Sequence, residues 1–493
     1  MTTLAAATRR VLLLAIDAHR HEPDTARWLH DQLRRLDEPL RVAIAGKVKA
    51  GKSTLLNALV GEQVAPTDAG ECTRVVTWYR DGTTPRIVLH PREGAPRPLP
   101  VRRHDGALTI DLGTTPAEQC DRLVVDWPAQ SLRATTLIDT PGIASTSTAV
   151  SQRTLDFLDP DSVDGRETPT EADAVVYLMR HVHARDAAFL EAFRDRGVAR
   201  ATGVNAVAVL SRADEIGGGR VDAMFSARSI ATRYRSDPTV RGLCQNVVAV
   251  AGLLAQTGRT LRQAEHTALA ALARTSRDEL ETELLSVDRF LRAGRDAEVT
   301  AEVRQRLLAR FGLFGIRLST SLVRQGAATS AALASELVDR SGLRELEQVL
   351  HAQFTERRDV LKARSALLAV DAVLRTGDGA GRRGPLAREI DRILSGAHEF
   401  TELRLLSALR SGAVTLPVRD AGDGERLLGD AGASAAARLG LEPEATAADL
   451  TDAAYAALDR WQRHTVNPMF SRTTTDACRA VVRSCEGILA GLA

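Results

Sequence analysis

Gly46-Lys47-Val48-Lys49-Ala50-Gly51-Lys52-Ser53 is the stretch that decides the fold. It fits the pattern G-x-x-x-x-G-K-[ST] at every fixed position, and its surroundings fit too. The apolar run Val42–Ala45 leads into it as a strand, and Thr54-Leu55-Leu56-Asn57-Ala58-Leu59 carries it on as a helix. Strand, glycine loop and helix in that order form a phosphate cradle. Gly46 and Gly51 let the backbone curl so that successive N–H groups point inward, and the helix N-terminus adds its positive end. The run Gly46, Lys47, Val48, Lys49, Ala50, Gly51, Lys52, Ser53 and Thr54 is therefore read as nucleotide-binding. Within it Lys52 reaches the β- and γ-phosphates, and the Ser53 hydroxyl holds Mg²⁺. Lysine is otherwise scarce: the chain has four, Lys47, Lys49, Lys52 and the distant Lys362.

Further along, Asp139-Thr140-Pro141-Gly142 follows the apolar strand Thr135–Ile138. An Asp at a strand's end is where a second Mg²⁺ contact is needed, and a glycine just beyond can bring its N–H to a γ-phosphate. Ser211-Arg212-Ala213-Asp214 follows strand Val204–Leu210 and approximates the guanine-reading pattern [NT]-K-x-D. A carboxylate at Asp214 accepts hydrogen bonds from guanine N1–H and its exocyclic amine, donors that adenine does not pair in this way. The aliphatic stem of Arg212 is suited to cover the base plane. Between the phosphate loop and the next strand, Pro66–Arg74 holds Thr67 and Thr73, and Thr73 is preferred as a further hydroxyl for Mg²⁺ because it immediately precedes that strand. A last strand, Val247–Val250, ends at Ala251-Gly252, small residues suited to a backbone contact with the base.

Around these motifs the chain alternates. Val42–Ala45, Val75–Tyr79, Leu123–Trp127, Thr135–Asp139, Ala174–Met179, Val204–Leu210 and Val247–Val250 read as strands with helical or loop stretches between several of them. That is the mark of an α/β domain on a mainly parallel sheet. Residues 5–37 read as helix in two pieces divided near Pro23. From Leu253 onward the sequence reads as helix, interrupted at Phe311–Gly315, Ser341–Gly342, Thr376–Pro385 and Ser411–Gly424. The two terminal helical regions are expected to pack together, the C-terminal one offering Ala477, Val481, Val482, Cys485, Ile488 and Leu489. With 493 residues, two or three domains are expected. A net charge of +2 argues against a dedicated nucleic-acid binder, and no apolar run approaches the roughly 18 residues of a membrane span. The five cysteines, Cys72, Cys120, Cys244, Cys478 and Cys485, contain no Cys-x-x-Cys pair and read as reduced thiols of a cytosolic protein.

Gly46–Ser53, Cys72-Thr73-Arg74, Asp139–Gly142 and Ser211–Asp214 together resemble a GTPase of the dynamin superfamily, and among its members a bacterial dynamin-like protein of the isoniazid-inducible type. The resemblance implies Mg²⁺-dependent GTP hydrolysis with GTP and GDP as ligands. It also implies remodelling of an anionic phospholipid membrane from its cytoplasmic face, and a nucleotide-dependent homodimer or oligomer, with a related dynamin-like chain as a further partner. It divides the chain into N-terminal neck helices (1–40), a GTPase domain (41–345), a helical trunk (346–449) and C-terminal helices returning to the neck (450–493). Lys49, Lys52, Thr73 and Gly142 become the catalytic residues, and Ser53, Thr73 and Asp139 the metal ligands. Two departures stand out. Ile143 leaves no Gln after Asp139–Gly142 to orient water, and Lys49 stands where many relatives hold a monovalent cation with Ser, so that its ammonium would supply that charge. Helices over roughly 347–376 and 386–410 would make a trunk about 45 Å long, with Arg382 and Arg383 at a tip that meets headgroups. Ala413–Val418 is the rival insertion loop, whereas Phe311–Gly315 reads as core. A ribosome-assembly type of GTPase switch with a helical interaction module is the alternative.

Overall fold

The computed structural model describes residues 3–66, 74–141, 171–179, 205–292, 298–376, 380–416 and 418–492. The strands, in chain order, are β1 (Leu40–Gly46), β2 (Val76–Asp81), β3 (Arg86–Pro91), β4 (Arg97–Leu99), β5 (Arg102–His104), β6 (Ala107–Thr109), β7 (Cys120–Trp127), β8 (Thr135–Asp139), β9 (Ala174–Met179), β10 (Ala206–Ser211) and β11 (Val247–Val250). Nine of them form one sheet in the order β11-β10-β9-β1-β8-β2-β7-β3-β4. The five strands from β11 to β8 are parallel. Every residue of β9 and β10 is buried, as a parallel sheet covered on both faces requires. Beyond β8 the sheet turns mixed: β2 runs antiparallel to β8 and parallel to β7, and β3 is antiparallel to both β7 and β4.

Because side chains alternate across a strand, β1 feeds two cores. Ala43 and Ala45 join one with Val175, Tyr177, Phe311, Phe314 and Leu333. Val42 and Ile44 join the other with Val176, Leu178, Leu343 and Phe354. The parallel arrangement brings the C-terminal ends of β1, β8 and β10, which carry Gly46, Asp139 and Ser211, to the same edge of the sheet.

Four strands, β3 to β6, were not expected. β4, β5 and β6 have three residues each, β3, β4 and β5 carry Arg with His or Pro, and β3 buries only Ile87 and Leu89. The helical half follows the expected breaks with corrections. Phe311–Gly315 is no gap but a kink at Gly312 (φ 62°) inside the helix Ala301–Arg324. Helix resumes at Ala380 rather than after Pro385, and at Val418 rather than after Gly424. The single long helix expected over 347–376 is absent. Helix Leu343–Leu350 passes through a π-helical turn, His351–Thr355, before helix Arg358–Thr376, whose 19 residues reach about 28 Å. Contacts from the far end of the chain accompany the turn: the Gln353 amide donates to Asp430 O and Arg357 to Gly429 O.

The termini do not pack on each other as expected. Val11, Leu12, Ala15 and Leu29 of the first two helices (Leu4–Ala18 and Pro23–Arg35) bury against Leu367, Val370, Ile390 and Phe400. The last helix, Arg472–Leu492, does bury Ala477, Val481, Cys485 and Ile488, but against Leu405, Leu427 and Trp461. Each terminal helix found a nearer apolar partner in the helices between. Polar contacts join the first pair to the sheet: Arg35 donates to Asp173 Oδ1 at 3.1 Å, and Asp173 Oδ2 accepts from Arg41 N at 3.0 Å. Lys362 donates to Arg35 O, and burial pushes its pKa down to about 8.

The break at Ser341–Gly342 is a close approach to the sheet. Ser341 O accepts from Ala251 N at 2.9 Å, and Gly342, at φ +81°, has no room for a Cβ, which would lie 2.1 Å from Ala249 O. Gly342→Ala is expected to cost about 2–4 kcal/mol, read as a lower urea midpoint at unchanged slope; a loss within 0.5 kcal/mol would contradict this packing.

Candidate nucleotide site

At the end of β1 the chain folds over a narrow gap. Gly46 (φ +149°) lies so close to β9 that a Cβ would sit 2.6 Å from Leu178 O, and Gly51 (φ +91°) caps the helix Lys52–Val60 from the left-handed region. Only glycine meets both demands without strain. Lys49 between them also has a positive φ, 61°. The loop closes through Ala50 N donating to Lys47 O at 3.1 Å, while Val48 and Lys49 face solvent. Lys52 is half-buried and folds back along the loop, Nζ donating to Gly46 O at 3.3 Å and Lys47 O at 3.5 Å. Burial lowers its pKa and the nearby Asp139 opposes that shift. An ammonium resting on two carbonyls at the long end of hydrogen-bond range is readily transferred to phosphate oxygens.

Ser53 and Asp139 meet as the spacing implied: Ser53 Oγ donates to Asp139 Oδ2 at 2.8 Å. Burial raises the Asp139 pKa, against the charge of Lys52 and the Ser53 hydrogen bond. Its other oxygen, Oδ1, is buried with no hydrogen-bond partner among the described residues. Leaving such an oxygen unpaired is costly, and a hydroxyl beside it completes a hard-oxygen donor pair. These residues fit Mg²⁺. Thr140 fixes the carboxylate's place by donating from Oγ1 to Ile44 O at 2.9 Å.

The base side lies next to the loop. A cavity of about 170 Å³ is lined by Ala50, Gly51 and Thr54 from the loop, by Ser211, Arg212 and Asp214, and by Val250 and Gly252 at the end of β11. Ser211 is buried and its hydroxyl donates to Met179 O at 3.4 Å, so it serves the sheet while lining the cavity. Arg212 pairs with Glu215 at 2.6 Å. Burial raises the Asp214 carboxyl above its ordinary range. The ionised form accepts from guanine, so guanine binding should fail on acidification at a higher pH than an exposed Asp would set.

The structure thus gathers Gly46 to Thr54, Asp139, Ser211, Arg212 and Asp214 at one sheet edge. Thr67, Thr73 and Gly142 lie outside the described residues, as do the side chains of Arg382 and Arg383. Asn57, Leu178 and Glu215 were missed. Asn57, buried inside a helix, accepts from Val64 N at 2.9 Å and Ala65 N at 2.7 Å and donates to Ala65 O at 2.9 Å. It thereby anchors the chain just before Thr67 and Thr73. A polar residue among Leu56, Ala58 and Leu59 was the signal available for it.

A phosphate loop, a buried carboxylate facing its Ser, and a base cavity closed by Ser-Arg-Ala-Asp define a nucleotide-hydrolysing enzyme of the GTPase class. Residues 42–191 match the Dynamin family. The chain is 45% identical to the isoniazid-induced protein IniC of Mycobacterium tuberculosis (strain H37Rv) over 457 residues, 92% of this chain and 91% of that one. It is 33% identical over 121 residues to a bacterial dynamin-like protein of Nostoc punctiforme, 22% of this chain and 17% of the other. The chain belongs to the dynamin family, as a bacterial dynamin-like GTPase of the IniC type, and its substrate is GTP. A solved structure described as an oligomerised bacterial dynamin pair for long-range sensing and tethering of membranes overlays at TM-score 0.32 and 14% identity, covering 87% of this chain and 78% of that one.

Lys52→Ala is expected to weaken binding of a labelled GTP analogue ~100-fold or more, because the phosphate charge then lacks its buried partner; wild-type affinity would refute the cradle. Asp214→Asn should weaken GTP about 10- to 100-fold and favour xanthosine triphosphate, whose added oxygen accepts from the new amide. Competition titration reads both, and unchanged GTP affinity would exclude Asp214 from the base contact.

Proposed function

We propose that this chain uses Mg²⁺-dependent GTP hydrolysis to bind and remodel a membrane, by fission, fusion or tethering, from the cytoplasmic face, as a peripheral protein. The observation that carries the Mg²⁺ part is the Ser53–Asp139 pair beside Lys52, in which Asp139 Oδ1 has no partner among the described residues. Ser53 and Asp139 would hold the ion, with Thr73 added, and the ion would neutralise charge on the β- and γ-phosphates. The backbone N–H groups of Gly46 to Ser53 bind and orient the phosphates, and Lys52 stays with the β–γ bridge as charge builds there. Gly142 N–H serves the γ-phosphate.

The membrane part follows from family membership together with the helical half. Helices Arg358–Thr376 and Ala380–Gly396 share an apolar core with the N-terminal helices. We assign the lipid contact to the stretch 376–385, around Arg382 and Arg383 in the first turns of the second helix, with the exposed Arg388 close by. The rival loop is less suited, because Leu416 is buried against the C-terminal helices. The divisions 1–40, 41–345, 346–449 and 450–493 serve as neck, GTPase domain, trunk and closing helices. The working unit is a nucleotide-dependent homodimer or oligomer, or a pair with a related dynamin-like chain. No helix of the described residues is long and apolar enough to cross a bilayer.

Replacing Arg382 and Arg383 by Glu is expected to lower sedimentation with anionic liposomes, by about 2 kcal/mol or more at low salt and less at physiological ionic strength. Unchanged sedimentation would move the contact to Ala413–Val418. At Lys49, exposed on the left-handed corner of the loop, the ammonium takes the place of a bound monovalent cation. GTP turnover is therefore expected to persist when K⁺ and Na⁺ are replaced by a bulky organic cation, and Lys49→Ser to slow it and create K⁺ dependence. A wild-type enzyme that stalls without K⁺ or Na⁺ would remove that role.

A further inference from the structure

We propose that Glu215 is a positioning residue for guanine recognition: its carboxylate holds the Arg212 guanidinium so that the arginine stem lies along the base cavity beside Asp214. The inference rests on that cavity being the guanine site. Arg212 sits at φ 52°, ψ 42°, a left-handed backbone that residues other than Gly, Asn and Asp seldom adopt. Strain of this kind persists where the surrounding structure demands it, and it gathers at functional sites. Here it heads the turn Ala213–Gly218, which places residue 215 on the same side as residue 212. Arg212 Nη1 then donates to Glu215 Oε1 at 2.6 Å, and both residues line the cavity.

An arginine at a cavity rim has many rotamers, and a ligand that must freeze them binds more weakly. The pair with Glu215 selects one before nucleotide arrives. The planar guanidinium suits this task, because one edge can take a carboxylate while its faces and stem remain free to stack, which a lysine ammonium does not allow. Ser211 offers no substitute, its hydroxyl being engaged by Met179 O.

The two roles open to Glu215 predict opposite signs. Its charge also raises the pKa of Asp214, so if it acted only as a neighbouring charge, Glu215→Gln would leave GTP binding unchanged or tighter. As a positioning residue, its loss weakens binding. The test measures affinity for a labelled GTP analogue, with steady-state kinetics, in full-length wild type, Glu215→Gln, Arg212→Ala and the double variant. Glu215→Gln is expected to weaken affinity about 2- to 5-fold and raise KM by a similar factor while kcat holds. The double variant should be no weaker than Arg212→Ala. Arg212→Asn, which suits the left-handed backbone, should lose affinity without lowering Tm. Unchanged or tighter binding by Glu215→Gln, or the same loss in the Arg212→Ala background, would overturn the proposal. The xanthosine switch of Asp214→Asn, run in parallel, separates the failures: if it works while Glu215→Gln is silent, only this inference falls, and if it fails, the guanine site falls with it.

Discussion

The carboxylate of Asp139 is the point on which the rest of the site depends. It ends β8, which β1 holds in parallel register at Ile44↔Asp139, and it meets Ser53 on the helix that follows the phosphate loop. One oxygen is hydrogen-bonded and the other is buried without a partner among the described residues. Burying such a group costs free energy that the free protein recovers only in part, through Ser53 and the charge of Lys52. A site that leaves an acid, a hydroxyl and an ammonium incompletely satisfied in one place is built for a ligand bearing both cation and anion. The Mg²⁺–triphosphate we propose for this site is that combination.

The same edge joins chemistry to the rest of the molecule. Gly46 is forced against Leu178, and β9 and β10 are buried throughout, so a shift at the loop is met by close-packed strands. At the other end of that stack Ala249 and Ala251 touch Ser341–Gly342, where the chain leaves the sheet for the helical half. At the opposite edge, Asp173 at the foot of β9 ties Arg35 and Arg41, and Lys362 caps Arg35. The fourth lysine of the chain thus sits where the first helices, the sheet and helix Arg358–Thr376 converge. The helical half has its own apolar clusters, and Leu343, Leu346, Phe354 and Leu361 join it to the sheet's second core, so these junctions combine apolar packing with polar and backbone contacts.

What was legible beforehand follows the range of the interactions concerned. Gly46, Gly51, Lys52 and Ser53 announce themselves because a phosphate cradle is made by consecutive residues, and Asp139 because it ends an apolar strand. Ser-Arg-Ala-Asp was legible as an approximation to the usual pattern, and the pairing of Arg212 with Glu215 needed coordinates. Asn57 was hidden because its partners, Val64 and Ala65, lie beyond the end of its own helix. The strands β4 to β6 escaped because short edge strands offer no apolar run, and β3 because Arg86, His90 and Pro91 bracket its three apolar residues. Helix length was misjudged at His351–Thr355, where residues near Asp430 hold a turn that local periodicity reads as continuous helix. The pairing of the terminal helices was misjudged for a similar reason: an apolar face declares that it needs a partner without saying which.

Every role assigned to these residues depends on guanine-nucleotide binding and hydrolysis at this edge of the sheet. Initial rates of phosphate release by the full chain, with GTP and with ATP at equal concentration in the presence of Mg²⁺, test it most directly. Turnover of GTP with ATP at background is expected. Equal turnover of the two, or no release from GTP even with anionic liposomes present, would contradict it.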